Sequence, residues 1–456
     1  MGIAIKTIDS TFLGSKITDF NNNLLPTLKL KELQQHGFSN DLYTLNIKEA
    51  LKNISSEKQL KDILKLHGIP FVKKGYFLKK YIIYVFQTKI IAMYFSKEKN
   101  ALLNINSKTE ETFYKEVDLN ETNDKEIQKI KRFAIKAVYA LNLDYSLVYC
   151  GTLAGKKNAI INIIVNPKVE EKIEQEYLKA INEYINAIKS KENDEKILLG
   201  SDIEFVMKSP KGQLLIASNY FPLKGRVGCD AIWIGRNSKQ KPLVELRPLP
   251  SKEPKELVNN IYKCLLYVAK KMNKVPSLWL AGSMPINNFP LGGHIHFSNV
   301  ALNFKFLRVL DNYLAFPFIL IEERERGLKR RPKYGFLGDF RYQFHGGFEY
   351  RTLASFIFSP TLTKGVFALA YLIAKNYHKL NLRPLYNLSL QEAYYMGIKE
   401  KIEEWTYKLW DDISYLDGFQ TYSNYINNFF RYLTRGSFWN EEEDFKKNWK
   451  LDEKYG

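Results

Sequence analysis

Apolar residues recur along this chain with two periods, and the period separates helix from strand. In "SSEKQLKDILKLHG" (55–68) they fall at 60, 63, 64 and 66, behind a serine and ahead of a glycine, which predicts a capped helix. "YIIYVFQTKIIAMYFS" (81–96) is apolar almost throughout and broken only at Gln87–Lys89, which predicts two strands around a tight turn. "NDKEIQKIKRFAIKAVYAL" predicts a second helix and "AIINIIVNP" a buried strand. The near-helical spacing of Ile173, Tyr177, Ile181, Ile185 and Ile188 predicts a long helix after them. "KSKENDEK" (189–196) then contains no apolar residue, and it divides a smaller α+β domain at 1–190 from a second domain at 197–456.

Past that boundary, strand-like runs cluster between 200 and 300, and the part from 366 to 456 is mostly helical. Its clearest segments are "TKGVFALAYLIAKNYHKL", "SLQEAYYMGIKEKIEEWTYKLWDDI" and "NYINNFFRYLTRG", whose aromatic residues read as packing rather than as a cofactor box. No repeat of fixed period is visible.

Composition narrows the class. A chain of 456 residues can hold two or three domains, and 45% hydrophobic with 14% aromatic residues excludes general disorder. Lys plus Arg number 68 against 49 for Asp plus Glu, a formal charge of +19, which attracts polyanions without naming one. "YLAFPFILI" and "VFALAYLIA" are too short to span a bilayer, and "MGIAIKTIDS" lacks both a signal-peptide core and, at Lys6, the residue a myristoylation motif requires. Cys150, Cys229 and Cys264 show neither metal nor redox spacing, so a reducing cytoplasm is the expected compartment. Before residue 200 the one arginine is Arg132. Guanidinium suits planar, bidentate contact with phosphate or carboxylate, so the anion chemistry is expected after residue 200.

Four short stretches there alternate polar and apolar residues. "GSDIEFVMK" holds Asp202 and Glu204, "PLVELRPLP" holds Glu245 and Arg247, "LGGHIHFS" holds His294 and His296, and "GGFEYRTLASF" holds Glu349 and Arg351. In a strand, residues two apart share a face, so His-x-His sets two imidazoles roughly 6–7 Å apart. That spacing suits one shared metal, a metal and a neighbouring phosphate, or a solvated strand face with no function. If all four runs join one sheet, one face carries four carboxylates, two imidazoles and two guanidiniums, while Ile203, Leu246, Ile295 and Tyr350 point the other way. Crowded carboxylates resist ionising together, and Mg²⁺ or Mn²⁺ resolves the conflict. Arginines beside such a cluster would hold phosphate oxygens, so the set reads as ATP-dependent phosphoryl transfer.

Other residues are individually weaker. Asp230 in "GCDAIWI" could hold a substrate amine or start a turn. Arg341 in "GDFRYQFHGG" precedes His345 and the Glu349 run. "ERERGLKRRPKYG" (323–335) could screen a nucleotide entrance or be a solvated helix end. His36, His67 and His378 are scattered and suggest nothing.

The ordered set "GSDIEF", "GCDAIW", "VELRPLP", "GGHIHF", "GDFR" and "FEYRTLASF…SP", over roughly residues 196–365, resembles the phage-type amidoligases, or type 2 carboxylate–amine ligases. These are similar in their catalytic domain to glutamine synthetase and glutamate–cysteine ligase. The resemblance implies a curved, mostly antiparallel sheet with helices packed behind it, within an α+β fold. It implies Asp202, Glu204, Glu245, His294 and Glu349 as metal ligands. Arg341 and Arg351, with Arg247, would bind ATP, and His296 would contact the phosphate or the substrate carboxylate. Asp202 stands where glutamine synthetase has Glu, a shorter arm at one metal position. More faintly, the first 190 residues resemble the C-terminal part of an ATP-grasp ligase. Where active members carry magnesium-binding carboxylates this chain has Tyr149 and Ile164, with only Asn166 kept, so that module is expected to be a scaffold or to present substrate.

The reading is an ATP- and Mg²⁺- or Mn²⁺-dependent ligase joining a carboxylate to an amine of an amino acid, peptide or modified polymer, with no membrane partner. One rival is a metal-dependent amidohydrolase, since His-x-His also opens metal sites in barrel hydrolases, but those need alternating strands and helices and further histidines. The other is a non-enzymatic nucleic-acid-binding protein, which leaves Asp202, Glu204, Glu245 and Glu349 unexplained.

Overall fold

The computed structural model describes residues 45–96, 114–119, 124–167, 169–189, 197–230, 232–235, 237–344, 346–436 and 439–451. The chain divides into two compact units, Met1–Glu192 and Asn193–Gly456. Residues 190–196 of the charged segment, His36 and His345 lie outside the described residues.

Among its described residues the N-terminal unit has five antiparallel strands: β1 (Lys79–Phe86), β2 (Lys89–Ser96), β3 (Tyr114–Glu116), β4 (Tyr145–Leu153) and β5 (Lys157–Ile164). Their order is β3-β2-β1-β4-β5. The expected turn between β1 and β2 is tight: Gln87 adopts a left-handed φ of 52° and Lys89 already pairs with Phe86. The helix Glu57–Leu66 starts at Ser56, whose hydroxyl accepts the Gln59 N–H, and Lys125–Ala140 starts at Asp124, which accepts two. The helix Glu171–Lys189 lays Ile173, Tyr177, Ile181 and Ile185 on a core with Ile82, Tyr84 and Phe86.

The C-terminal unit carries eight strands: β6 (Leu198–Lys208), β7 (Leu214–Leu215), β8 (Val227–Cys229), β9 (Leu243–Leu246), β10 (Leu278–Leu280), β11 (Gly293–Ser298), β12 (Phe340–Tyr342) and β13 (Phe348–Tyr350). They form one antiparallel sheet in the order β12-β13-β11-β6-β9-β8, with β7 and β10 also pairing with β6. The fold is therefore α+β, with no barrel among the described residues. The helix Pro254–Met272 packs against β6, β8 and β9 through Leu257, Ile261 and Leu265. Ile203, Leu246, Ile295 and Tyr350, expected on one face, are all fully buried, next to a cluster in which Phe297 stacks on Phe348.

One helical segment differs from expectation. "SLQEAYYMGIKEKIEEWTYKLWDDI" forms two helices, Leu388–Met396 and Lys399–Ser414, because Gly397 turns left-handed (φ 62°) and the N–H of Ile398 bonds back to the carbonyl of Ala393. No helix among the described residues is long and apolar enough to cross a membrane.

Candidate active site

Strand register brings the polar pairs together. In an antiparallel ladder, directly opposed residues share a face. Arg341 lies opposite Glu349, and Glu349 opposite His296. His294 lies opposite Asp202, and Glu204 opposite Glu245. Four adjacent strands thus contribute Glu349, His294, His296, Asp202, Glu204 and Glu245 to one face. Arg247 and Arg351 follow the last residues of β9 and β13, where the chain leaves the ladder, so their guanidiniums return over that face.

Asp202 Oδ1 lies 3.0 Å from His294 Nδ1 and 3.0 Å from His296 Nε2, so both imidazoles converge on one carboxylate oxygen. His294 Nδ1 is also 3.0 Å from Glu349 Oε1. Asp202, His294 and Glu349, all buried, each offer a ligand atom within 4.8 Å of the others. Glu349 Oε2 accepts from Arg341 Nε at 2.7 Å and from Gln343 Nε2 at 2.9 Å. Glu349 Oε1, 3.0 Å from Arg351 Nε, is buried yet in hydrogen-bond geometry with neither neighbour. A buried anionic oxygen with an unspent lone pair, beside a second carboxylate and an imidazole, is the donor set a divalent cation takes.

Glu204 and Glu245 stand beside this trio with other partners. Glu204 Oε2 accepts the N–H of Gly292 at 2.7 Å, and Glu245 is ion-paired with Arg247. Arg247 also donates to the carbonyls of Gly225 at 3.3 Å and Cys229 at 3.4 Å. Its guanidinium crosses Gly228, where an added Cβ would sit 2.4 Å from the arginine nitrogen. Asp230 follows β8 and starts a turn, accepting the N–H of Ile232 at 3.1 Å, while its charge reaches Glu204 and Arg247.

Electrostatics divide the two acids of β6. Burial pushes the Glu204 carboxyl up to about 7, with Asp230 and Asp202 adding to it against the opposing His294 and Gly292 N–H. Burial acts the same way on Asp202, but His294 and His296 outweigh it and hold that carboxyl well below the usual range. His294 is raised: its burial opposes the imidazolium, and Asp202, Glu204 and Glu349 overcome that opposition.

Sequence reasoning missed four contributors. Tyr334 puts its hydroxyl against His294 Nε2, and its ring lies under the guanidiniums of Arg330 at 4.7 Å and Arg351 at 5.5 Å. Gly292 makes room for both: an added Cβ would lie 2.1 Å from His294 Nε2 and 2.6 Å from the Tyr334 hydroxyl. The Asp339 carbonyl accepts the Arg351 N–H at 2.9 Å, and its carboxylate lies 3.9 Å from that guanidinium. Arg330 reaches the carbonyls of Leu291, Thr352 and Leu353 at 2.7–3.0 Å, tying the chain before β11 to the chain after β13. The close of the basic run 323–335 is thus not a solvated helix end, since Arg330 and Arg331 are buried, the latter paired with Glu322. The available signal was the pairing of Gly292 with His-x-His and the Tyr334–Gly335 step.

A family model described as phage phiEco32-like COOH.NH2 ligase-type 2 matches residues 199–451, more than half of the chain. No curated protein matches it. Among solved structures, the chain is similar to a bifunctional glutathione synthetase from Pasteurella multocida, with 12% identity, a TM-score of 0.33, and coverage of 60% of this chain and 53% of that one. It spans about half the length of that structure.

Proposed function

The chain belongs to the phage phiEco32-like COOH.NH2 ligase-type 2 family, a family of carboxylate–amine ligases, and we propose that it forms its amide in an ATP- and divalent-metal-dependent reaction through an acyl phosphate. The observation that carries the proposal is the orphaned Glu349 Oε1, held with Asp202 and His294 beside Arg341 and Arg351.

In this reading Asp202, His294 and Glu349 would hold a Mg²⁺ or Mn²⁺ ion, with Glu204 and Glu245 beside them for a second. A bound cation supplies positive charge against the oxygens of a transferring phosphoryl group. Arg341, its side chain 53% exposed, runs from Glu349 toward solvent and takes phosphate oxygens, while the more buried Arg351 fixes Glu349 and the inner end of the phosphate chain. Asp202 orients His296 toward the phosphate or the substrate carboxylate. Arg247 assists in nucleotide binding, and Asp230 receives the substrate amine. A carboxylate oxygen attacks the terminal phosphorus and ADP leaves. The amine nitrogen then attacks the acyl carbon, phosphate departs with the C–O electron pair, and the amine gives up a proton. No covalent enzyme intermediate is required, in keeping with three cysteines that are all buried.

We assign the N-terminal unit a scaffold or substrate-presenting role, its ATP-grasp likeness lacking the acidic pair. Tyr149 and Ile164 pack against the tyrosine-rich core there, and Asn166 accepts the Tyr145 hydroxyl. Incubation with ATP, magnesium and mixed acids and amines should release phosphate only when both acid and amine are present. Amide hydrolysis without ATP would instead favour the hydrolase. Steeply salt-dependent nucleic-acid binding that survives Glu245→Ala and Glu349→Ala, without ligase activity, would favour the binding protein.

A further inference from the structure

Apart from the carboxylate face, the C-terminal unit has a cavity at the edge of its sheet. Val227 on the edge strand β8 lies opposite Leu246, whose side chain points away from Glu245, so Val227 faces the helix side of the sheet. Opposite it the helix Pro254–Met272 presents Asn260, Lys263, Cys264 and Tyr267, spaced at three and four residues along one helix face. Between them lies a cavity of about 430 Å³, within the range that small ligands occupy.

Its lining combines two chemistries. Lys224 and Arg226 on the loop entering β8 and Lys263 on the helix are cationic, and no carboxylate lines the cavity. Lys263 donates to Asn260 at 3.2 Å, whereas the Lys224 and Arg226 side chains make no hydrogen bond or ion pair with the described residues. Tyr267 and Leu249, 52% and 47% exposed, supply an apolar wall, and Leu223 stands exposed in the same loop. The Cys264 thiol, pushed up to about 11 by its burial against the opposing charge of Arg226, adds a neutral surface. Cations without an acidic partner that line an apolar hollow match an anionic head joined to an apolar or aromatic body.

We propose that this cavity is a binding site for a small organic anion, a phosphate or carboxylate carried on a flat apolar body, distinct from the carboxylate face on the other side of the sheet. The arrangement demands both halves of the ligand: the head for Lys224, Arg226 and Lys263, and the body for Tyr267 and Leu249.

Titration calorimetry on the full chain, with phenyl phosphate and AMP as probes and inorganic phosphate as the head alone, tests this. At least one organic probe should bind with a Kd below about 1 mM and more tightly than inorganic phosphate. Arg226→Glu and Lys263→Glu, exposed changes that leave the fold intact, should each weaken it about tenfold. Tyr267→Ala should weaken the organic probe and leave inorganic phosphate unchanged. Glu349→Gln should leave phenyl phosphate binding unchanged, which separates this cavity from the proposed nucleotide site. The inference is overturned if neither probe binds, if the charge reversals are without effect, or if binding follows Glu349 instead.

Discussion

Both units bury an antiparallel sheet on two faces, yet they fill those faces with different chemistry. In β1 of the N-terminal unit, Tyr81, Ile83 and Val85 occupy one face and Ile82, Tyr84 and Phe86 the other, and the Tyr84 ring meets Tyr94 and Tyr177 edge-on. In β6 of the C-terminal unit, Ile203 and Phe205 occupy one face, but Asp202 and Glu204 are just as buried on the other. Burial raises the Tyr84 phenol further above a range it already occupies uncharged at neutral pH, so nothing is lost. A carboxylate loses hydration that its neighbours must replace, and Glu204 at about 7 records the shortfall. Two carboxylates of the N-terminal unit are matched with donors: Glu126 with Lys79 and the Tyr81 hydroxyl, Asp144 with Asn46 and Gln87. Residual buried charge, rather than sheet architecture, separates the candidate site from the N-terminal sheet.

The largest effect is expected where that charge is densest. Glu349→Gln keeps the shape and removes the anion that faces His294, Arg341 and Arg351. Turnover, measured as phosphate release, should fall about 10³-fold or more, equivalent to about 4 kcal/mol. Turnover within twofold of the wild type would erase the distinction between the two sheets.

A buried carboxylate outside the site tests whether burial alone has this signature. Glu441 accepts the N–H groups of Ser283 at 2.7 Å and Met284 at 3.0 Å, and its burial nevertheless pushes the carboxyl up to about 7 from an ordinary 4.5. Because the folded state then holds a proton that the unfolded chain releases, this group's contribution is most favourable below pH 4.5 and is lost as pH rises toward 7. Relative to Glu441→Gln, which does not titrate, wild-type unfolding free energy should decline by about 3 kcal/mol across that window. Parallel pH–stability curves from urea unfolding would refute it.

Third in size is Tyr334→Phe. The ring stays beneath Arg330 and Arg351, while the hydroxyl against His294 Nε2 is lost. Groups that orient a ligating imidazole through its second nitrogen typically change metal affinity about tenfold or more. Titration with Mn²⁺, followed by the spin resonance of the free ion, should show a weakening of about that size. Equal affinity would leave Tyr334 a packing residue.

These effects also mark how far the sequence could be read. The face of each polar pair was legible because strand alternation is strict: Asp202 and Glu204 cannot part company without a bulge. Their convergence was legible only as a condition, since the registers that set His294 opposite Asp202 and Glu349 opposite His296 join residues far apart in the chain. The three-residue strands β8 and β12 are too short to show a period. Arg330 and Tyr334 were hidden for another reason. The partners of Arg330 are three backbone carbonyls, which carry no side-chain signature, so a buried clamp reads as part of a charged run. Gly397 was readable as a helix stop, but apolar residues continue in helical phase on both sides of it and concealed the break.

The smallest expected effect lies in the N-terminal unit and carries the other half of the comparison. Tyr149 occupies the strand position where the proposed ATP-grasp likeness would place an acidic magnesium ligand, yet its ring packs against the tyrosine-rich core, and burial raises its hydroxyl. A phenol kept neutral there can serve as neither a cation ligand nor a base at neutral pH. Tyr149→Phe retains the packed ring and removes only the hydroxyl, so turnover and the apparent KM for ATP should both remain within about twofold of wild type. If that substitution instead raised the KM for ATP or abolished phosphate release, nucleotide chemistry would extend into the N-terminal unit, and the division between a charged, working sheet and a neutral, supporting one would have to be abandoned.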